Sequence, residues 1–85
     1  MDDTGSGGPG LRYRYIVRIT PADVGSRVVI RWRRPAPGGG DEVADVLGQL
    51  EAMGDDGFSV RNRRGELVVV PRDRALAGKV VPPAR

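Results

Sequence analysis

Carboxylates are the first side chains that could carry chemistry in this chain of 85 residues. They concentrate in one segment, which contains Asp41, Glu42, Asp45, Asp55 and Asp56. Carboxylate oxygens are the ligands that Mg²⁺ and Ca²⁺ prefer, but the spacing fits neither an EF-hand nor another ligand loop. Aspartates also favour turns and solvated surfaces. We therefore interpret the segment as an acidic surface and predict no metal site in it.

The usual nucleophiles and proton carriers are absent, because the chain has no cysteine and no histidine. Disulfides and a zinc site with thiolate or imidazole ligands are excluded for the same reason. The serine and threonine hydroxyls have no histidine to activate them. A core as small as this length allows also leaves little room for a pocket that tunes a pair of carboxylates. We predict that the protein is not an enzyme and holds no cofactor.

Arginine dominates the basic residues and is unevenly distributed along the chain. Residues 11–34 contain seven arginines and one acidic residue, whereas residues 35–57 contain six acidic residues and no basic one. Such blocks predict separate basic and acidic faces that attract partners of opposite charge. The simpler alternative is that both are ordinary solvated faces. The candidate surface for a partner protein or for nucleic acid consists of Arg12, Arg14, Arg18, Arg31 and Arg33.

The segment "RYRYIVRI" at 12–19 interleaves arginine with apolar residues. Its period of two predicts a β-strand over 11–19 with one buried face. The alternation puts Tyr13 and Tyr15 opposite the arginines, and Trp32 behaves in the same way within "RVVIRWRRP". A nucleic-acid platform needs aromatic and basic residues on one exposed face, so we interpret these aromatics as core residues. The strand over 11–19 would be a sheet edge able to pair with a second copy.

The two ends of the chain differ from its middle. Residues 1–10 are rich in glycine and acidic, which predicts a disordered tail in front of a single domain over 11–85. The longest apolar run, "LVVV", is far shorter than the roughly 18 to 20 residues of a membrane helix. The acidic start lacks the basic and apolar parts of a secretory signal. We expect no membrane association and a cytoplasmic location.

Proline and glycine divide the remainder into short elements. They predict helical turns near 20–25 and 71–78, each begun by proline and ended by glycine. "FSVRN" and "LVVV" read as the strands of a hairpin joined by "RRGE", in which Gly65 can adopt a positive φ. A last short strand, "KVV", follows at 79–81.

The segment "DEVADVLGQLEAMG" at 41–54 gives conflicting signals. Its apolar residues recur at helical spacing, which favours an amphipathic helix. Gly48 argues against that helix, since glycine in a helix interior costs about 1 kcal/mol relative to alanine. In a strand, the same glycine would allow a bend or a close approach of another backbone. The local pattern leaves both structures open.

Four stretches together resemble a known family: "DVGSRVVIRWR" at 23–33, "DVLGQLEAM" at 45–53, "FSVRNRRGELVVVP" at 58–71 and "LAGKVVPP" at 76–83. They are similar to the small SH3-like domain at the N-terminus of actinobacterial GNAT-type acetyltransferases. The resemblance implies an all-β fold, a strongly bent barrel of five strands. It also implies that residues 43–53 form a strand, with Gly48 at a bend.

The resemblance does not bring the acetyltransferase activity with it. A GNAT catalytic domain needs well over 100 residues and a phosphate-binding loop of the form Q/R-x-x-G-x-G/A, which "PAPGGG" does not provide. The resemblance therefore implies a non-catalytic interaction or regulatory module. We expect its partner to be a protein, either an acetyltransferase or a second copy of the chain. Nucleic-acid binding through the arginine-rich strands is the alternative, consistent with a pI near 10.2.

Overall fold

The computed structural model describes residues 17–82 of the chain. Within that range five β-strands and two single-turn 3₁₀ helices account for the regular structure. The strands are β1 (Arg27–Pro35), β2 (Asp41–Gly54), β3 (Gly57–Asn62), β4 (Leu67–Pro71) and β5 (Ala75–Val80). The 3₁₀ helices cover Pro21–Asp23 and Arg72–Arg74. The prediction of a small all-β fold with five strands is confirmed.

All five strands belong to one antiparallel sheet, in the order β4-β3-β2-β1-β5. Strands β1 to β4 follow one another as a meander, because each is joined to the next by a short turn. Only β5 departs from this order, since it returns to the far side of β1. Strands β4 and β5 are therefore the two edges of the sheet.

The connection between these two edges requires the sheet to bend. Five strands spaced about 4.8 Å apart would place the edges of a flat sheet about 19 Å apart. Only Arg72–Arg74 join Pro71 to Ala75, and four residue steps span at most about 14 Å. The Arg72 guanidinium lies 5.1 Å from the centre of the Phe58 ring and donates to the Gly54 carbonyl at 3.1 Å. The short connection thus holds the bent sheet at one end.

Gly48 explains why residues 41–54 form a strand that can follow this bend. It pairs with Val28 of β1 on one side and with Asn62 of β3 on the other. A Cβ atom at this position would overlap the carbonyl of Arg61. The strand predicted over 43–53 is confirmed. The apolar residues of this segment have helical spacing, but the segment does not form a helix.

The concave face of the sheet carries the hydrophobic core. Every strand from β1 to β4 contributes to it, and Ile19 covers it from outside the strands. The buried residues are Ile19, Val28, Ile30, Val46, Leu50, Phe58, Val60 and Val70. Trp32 is half-buried and packs against this cluster, as the alternation along β1 predicts.

The long first strand predicted over 11–19 is not found where the structure can test it. Residues 11–16 lie outside the described range, so Tyr13 and Tyr15 are not placed. Val17 makes only an isolated bridge to Gly78, where the Arg18 amide donates to the Gly78 carbonyl at 2.7 Å. The alternation itself holds over the last residues, because Arg18 is exposed and Ile19 is buried. This segment lies beside β5 without extending the sheet.

The last strand is longer than the sequence predicts. The turn expected over 71–78 shrinks to Arg72–Arg74, and β5 already begins at Ala75. Ala75, Ala77 and Gly78 pair with β1 across an irregularity between Arg31 and Trp32. The local proline and glycine pattern predicts a longer turn. The pairing of β5 with the distant strand β1 starts the strand earlier than this pattern predicts.

The two remaining turns agree with the sequence. The turn predicted near 20–25 is present: the amide of Thr20 donates to the Asp23 carboxylate at 2.8 Å, and Gly25 has a φ of 98°. The "RRGE" turn joins β3 to β4 with Gly65 at a φ of 81°. No helix within residues 17–82 is long and apolar enough to cross a membrane.

Candidate functional site

The β1–β2 hairpin brings the basic and the acidic block together. Arg31 lies opposite Asp45, and Arg34 lies opposite Glu42. The Arg31 side chain donates twice to the Asp45 carboxylate, at 2.9 and 3.2 Å, and Arg34 Nε donates to Glu42 at 2.7 Å. The predicted separation of a basic and an acidic face is therefore not found on this hairpin. Residues that are distant blocks in the sequence become cross-strand neighbours.

Two further pairs follow the same principle on other elements. Arg61 of β3 donates twice to Glu51 of β2, at 3.0 and 3.1 Å, and Arg74 reaches Asp41 at 2.7 Å. The hydrogen bonds from Arg61 lower the pKa of Glu51, and the same bonds raise the pKa of Arg61. The bonds from Arg31 likewise hold the pKa of Asp45 below its ordinary value, against a smaller opposing effect of desolvation. These carboxylates serve as partners of arginines.

The five arginines predicted as a partner surface do not form one site. Arg12 and Arg14 lie outside the described residues. Arg31 is engaged with Asp45, whereas Arg18 and Arg33 are exposed and have no ion pair within residues 17–82. Arg33 alternates with Trp32 on β1, and Arg18 lies beyond β5. The structure thus leaves two of the predicted residues available on separate elements.

A groove with several arginines lies at another place, around Gly48. It has a volume of about 630 Å³. The residues that line it come from the start of β1 and the turn before it, the middle of β2, and the end of β3 with the turn after it: Gly25, Arg27, Leu47, Gly48, Gln49, Arg61, Asn62, Arg63 and Arg64. We call this the Gly48 groove. Within the described chain Arg27, Arg63 and Arg64 have no ion pair, while Arg61 is held by Glu51.

The open edge of β4 is a second feature that could bind a partner. The Asn62 amide donates to the Glu66 carbonyl at 2.9 Å, and the Arg72 amide donates to the Asp56 carbonyl at 2.8 Å. Hydrogen-bonded pairs alternate along an antiparallel ladder, so the intervening backbone groups of Leu67, Val69 and Pro71 point away from β3. The side chains of Leu67 and Val69 are 45% and 59% exposed. Within the described residues, this edge therefore combines unpaired backbone groups with apolar side chains.

The acidic β2–β3 turn borders a smaller depression of about 320 Å³ that Asp55 and Asp56 share with Met53 and Val69. Among residues 17–82, no three acidic side chains lie close enough together to hold a metal ion.

Comparison with known proteins identifies the kind of domain. Residues 21–79 match the family described as the Rv0428c N-terminal Sm-like domain. The chain belongs to this family. No curated protein and no solved structure matches it. The Sm-like description agrees with the small β domain that the resemblance implies, but it names no acetyltransferase and no SH3 domain, so those two assignments stay predictions.

Sequence reasoning missed the arginines of this Sm-like domain that lie in the Gly48 groove. Two signals for them are visible in the sequence: a glycine inside an apolar strand, and the adjacent Arg63 and Arg64 in the "RRGE" turn. Neither signal says that the two segments meet. Arg27 joins them only through the pairing of Arg27 with Gln49.

Proposed function

We propose that this Sm-like domain is a non-catalytic interaction module that binds another protein chain by strand addition along β4. The observation that supports the proposal is the open edge at Leu67–Pro71, with exposed apolar side chains at Leu67 and Val69. Strand addition uses backbone hydrogen bonds for affinity and alternate side chains for specificity. An open edge of this kind pairs readily unless charge or proline blocks it.

The edge is defined at both ends. Pro71 closes one end, since it has no amide hydrogen to donate. Towards the other end, the β3–β4 turn is held by hydrogen bonds from the amides of Arg64 and Glu66 to the Asn62 side chain, at 2.9 and 3.0 Å. A partner strand would therefore find a short template with a fixed register. Its hydrogen bonds would go to the amides of Leu67 and Val69 and to their carbonyls.

The partner is a second copy of the chain or the catalytic chain of a GNAT acetyltransferase. The second copy is supported by the end of β5, the other edge of the sheet, where Lys79 and Val80 are exposed; Val17 and Arg18 already lie beside β5 at Gly78. Pairing of β4 from one copy with β5 of the next would be a head-to-tail contact. The acetyltransferase is supported by the resemblance of the sequence to an accessory domain of such enzymes.

Light scattering on the Val69→Lys variant tests the strand addition. Lysine at an edge strand opposes pairing, so we expect the variant to have a mass near 9.1 kDa, while the unmodified chain has a larger one. Val43→Lys is the matched control, because Val43 is 52% exposed on the inner strand β2. It should associate like the unmodified chain. The acetyltransferase chain is titrated against the same three proteins by calorimetry.

The proposal fails if the unmodified chain has the monomer mass at millimolar concentration and also does not bind the acetyltransferase chain. It fails equally if Val43→Lys and Val69→Lys weaken association to the same extent, because charge alone would then explain the effect.

Nucleic-acid binding is the second candidate function, and it is favoured by Arg18 and Arg33, which are exposed and have no ion pair within residues 17–82. Contacts of arginine with phosphate weaken steeply as salt increases. Fluorescence anisotropy with labelled single-stranded and duplex DNA and RNA measures this directly. The dissociation constant is measured in about 0.15 M salt. Binding no tighter than the non-specific level of about 10⁻⁴ M would exclude this function.

A further inference from the structure

The Gly48 groove concentrates arginines that the fold itself does not neutralise. Elsewhere in the described chain, three arginines are paired with carboxylates: Arg31, Arg34 and Arg74. Among the groove arginines, Arg61 alone has such a partner within residues 17–82, which is Glu51. Arg27, Arg63 and Arg64 also line this groove of about 630 Å³, and none of them has an ion pair within residues 17–82. Three like charges around one open groove favour an anionic ligand.

The β3–β4 turn presents two of these arginines from a fixed backbone. The Asn62 side-chain oxygen accepts from the amides of Arg64 and Glu66, and the Gly65 amide donates to the Asn62 carbonyl at 2.9 Å. Arg61 Nη1 adds a hydrogen bond to the Gly65 carbonyl at 2.9 Å. The turn between them is thus ordered before any ligand arrives, so binding need not order it.

The floor and one wall of the groove are not basic. Gly48 has no side chain, and its backbone lies against that of Arg61. Leu47 contributes an apolar surface and is 43% exposed. Gln49 Nε2 donates to the Gly25 carbonyl at 3.3 Å and so ties β2 to the turn before β1. A ligand in this groove would meet apolar as well as cationic surface.

We propose that the Gly48 groove binds an acidic peptide segment of a partner protein. Carboxylates of the segment would form bidentate pairs with Arg27, Arg63 and Arg64, of the kind that Arg31 forms with Asp45 inside the chain. An apolar side chain between the carboxylates would pack on Leu47. The proposal concerns a surface distinct from the β4 edge and does not depend on strand addition.

Two observations favour a peptide over nucleic acid. Among residues 17–82, no aromatic side chain lines the groove, so this part of the chain offers bases no ring on which to stack. The carboxylates of Glu51 and Glu66 also lie at its margin, since they bond to the lining residues Arg61 and Asn62. A phosphate at every nucleotide would be repelled there, whereas a peptide can place its carboxylates only where arginines lie.

Fluorescence anisotropy with a labelled ten-residue peptide of alternating glutamate and leucine tests the proposal. The peptide in which glutamine replaces glutamate is the uncharged probe. The Arg63→Gln/Arg64→Gln variant removes two groove charges, and the Arg18→Gln/Arg33→Gln variant removes two unpaired arginines outside the groove. All four side chains are exposed, so both variants should fold, which circular dichroism checks. The two variants have the same net charge.

We expect the groove variant to bind the acidic peptide at least about tenfold more weakly, the effect of losing about 1.4 kcal/mol of charge-assisted hydrogen bonding. The control variant should stay within about twofold, and the glutamine peptide should bind weakly to every protein. The Val69→Lys variant should bind the acidic peptide normally, which separates this site from the β4 edge.

Equal losses in the two double variants would overturn the proposal, because net charge would then explain the binding. The absence of any binding of the acidic peptide to the unmodified chain would overturn it as well. If labelled single-stranded RNA binds and the groove variant loses it while the peptide is unaffected, the groove is a nucleic-acid site and the peptide proposal is wrong.

Discussion

Gly48 lies in the middle of the longest strand, between Val28 on β1 and Asn62 on β3. Its lack of a side chain lets the backbones of β2 and β3 approach closely, because a Cβ atom would overlap the Arg61 carbonyl. The overlap is with backbone, so a rotamer change cannot relieve it.

Gly48→Ala should therefore destabilise the domain. Overpacking of this kind costs about 1 to 3 kcal/mol, and we expect the free energy of unfolding in urea to fall by about 2 kcal/mol. Gly38→Ala is the matched control, because Gly38 lies in the β1–β2 turn with no atom within 4 Å of a Cβ there. It should not lower the stability. Equal effects of the two substitutions would show that the contact with Arg61 is not what requires glycine.

The elements pair their charges in a way that their order in the sequence conceals. The chain folds its basic β1 back on its acidic β2, so Arg31 and Asp45 are opposite each other. The side chains of this pair are 54% and 47% exposed, so solvent screens it, and such a pair contributes at most about 1 kcal/mol. The register of the hairpin determines which arginines lie opposite a carboxylate. It therefore also determines which arginines can contact a partner protein.

The Asp45→Asn variant tests this pair through pH. The pKa of Asp45 lies below its ordinary value of 3.8 because of the hydrogen bonds from Arg31. A lowered pKa in the folded state stabilises the fold above the unfolded pKa, and that contribution is lost as the pH falls through the folded pKa. Urea unfolding should show the variant less stable near neutral pH by about 0.2 to 1 kcal/mol. The difference should shrink progressively as the pH falls below the ordinary pKa of 3.8.

Asp55→Asn provides the comparison, since Asp55 lies in the β2–β3 turn without an ion pair within the described residues. The free energy of unfolding of the Asp55→Asn variant should equal that of the unmodified chain from neutral to acid pH. A difference for Asp45→Asn that persists at the lowest pH would mean that packing, and not the charge of Asp45, causes it.

At the scale of the whole molecule, one core joins every part of the described sheet. Buried residues from β1 to β4 form a single cluster, and Ile19 joins it from the N-terminal side. Gly78 of β5 lies against Ile19 and Ile30. No part of this core could be exposed without opening the rest, which is the condition for cooperative unfolding.

The single tryptophan reports on this cooperativity. Trp32 packs against the core cluster from β1, so its fluorescence follows tertiary packing, while far-ultraviolet circular dichroism follows the sheet. We expect both signals to change with the same urea midpoint in a two-state transition. Two separate midpoints would show that part of the sheet survives without the core.

The local sequence determined the elements whose patterns are short-range. Alternation along β1 placed Val28 and Ile30 inside, and Pro21 with Gly25 marked the first turn. In the same way "RRGE" marked the β3–β4 hairpin, because a positive φ at Gly65 depends on the turn alone. These features need only neighbouring residues, and so they were predicted correctly.

The tertiary structure alone decided the features that depend on distant residues. Whether 41–54 is helix or strand was left open by its own pattern, and the backbone of Arg61 excludes a side chain at Gly48. Pairing of β5 with β1 extended the last strand beyond its local signals. The same pairings decided the surface: they neutralise Arg31 with Asp45 and leave Arg27, Arg63 and Arg64 around one groove. The sequence determines the sign of each charge, whereas the pairing of distant strands determines which charges lie next to each other.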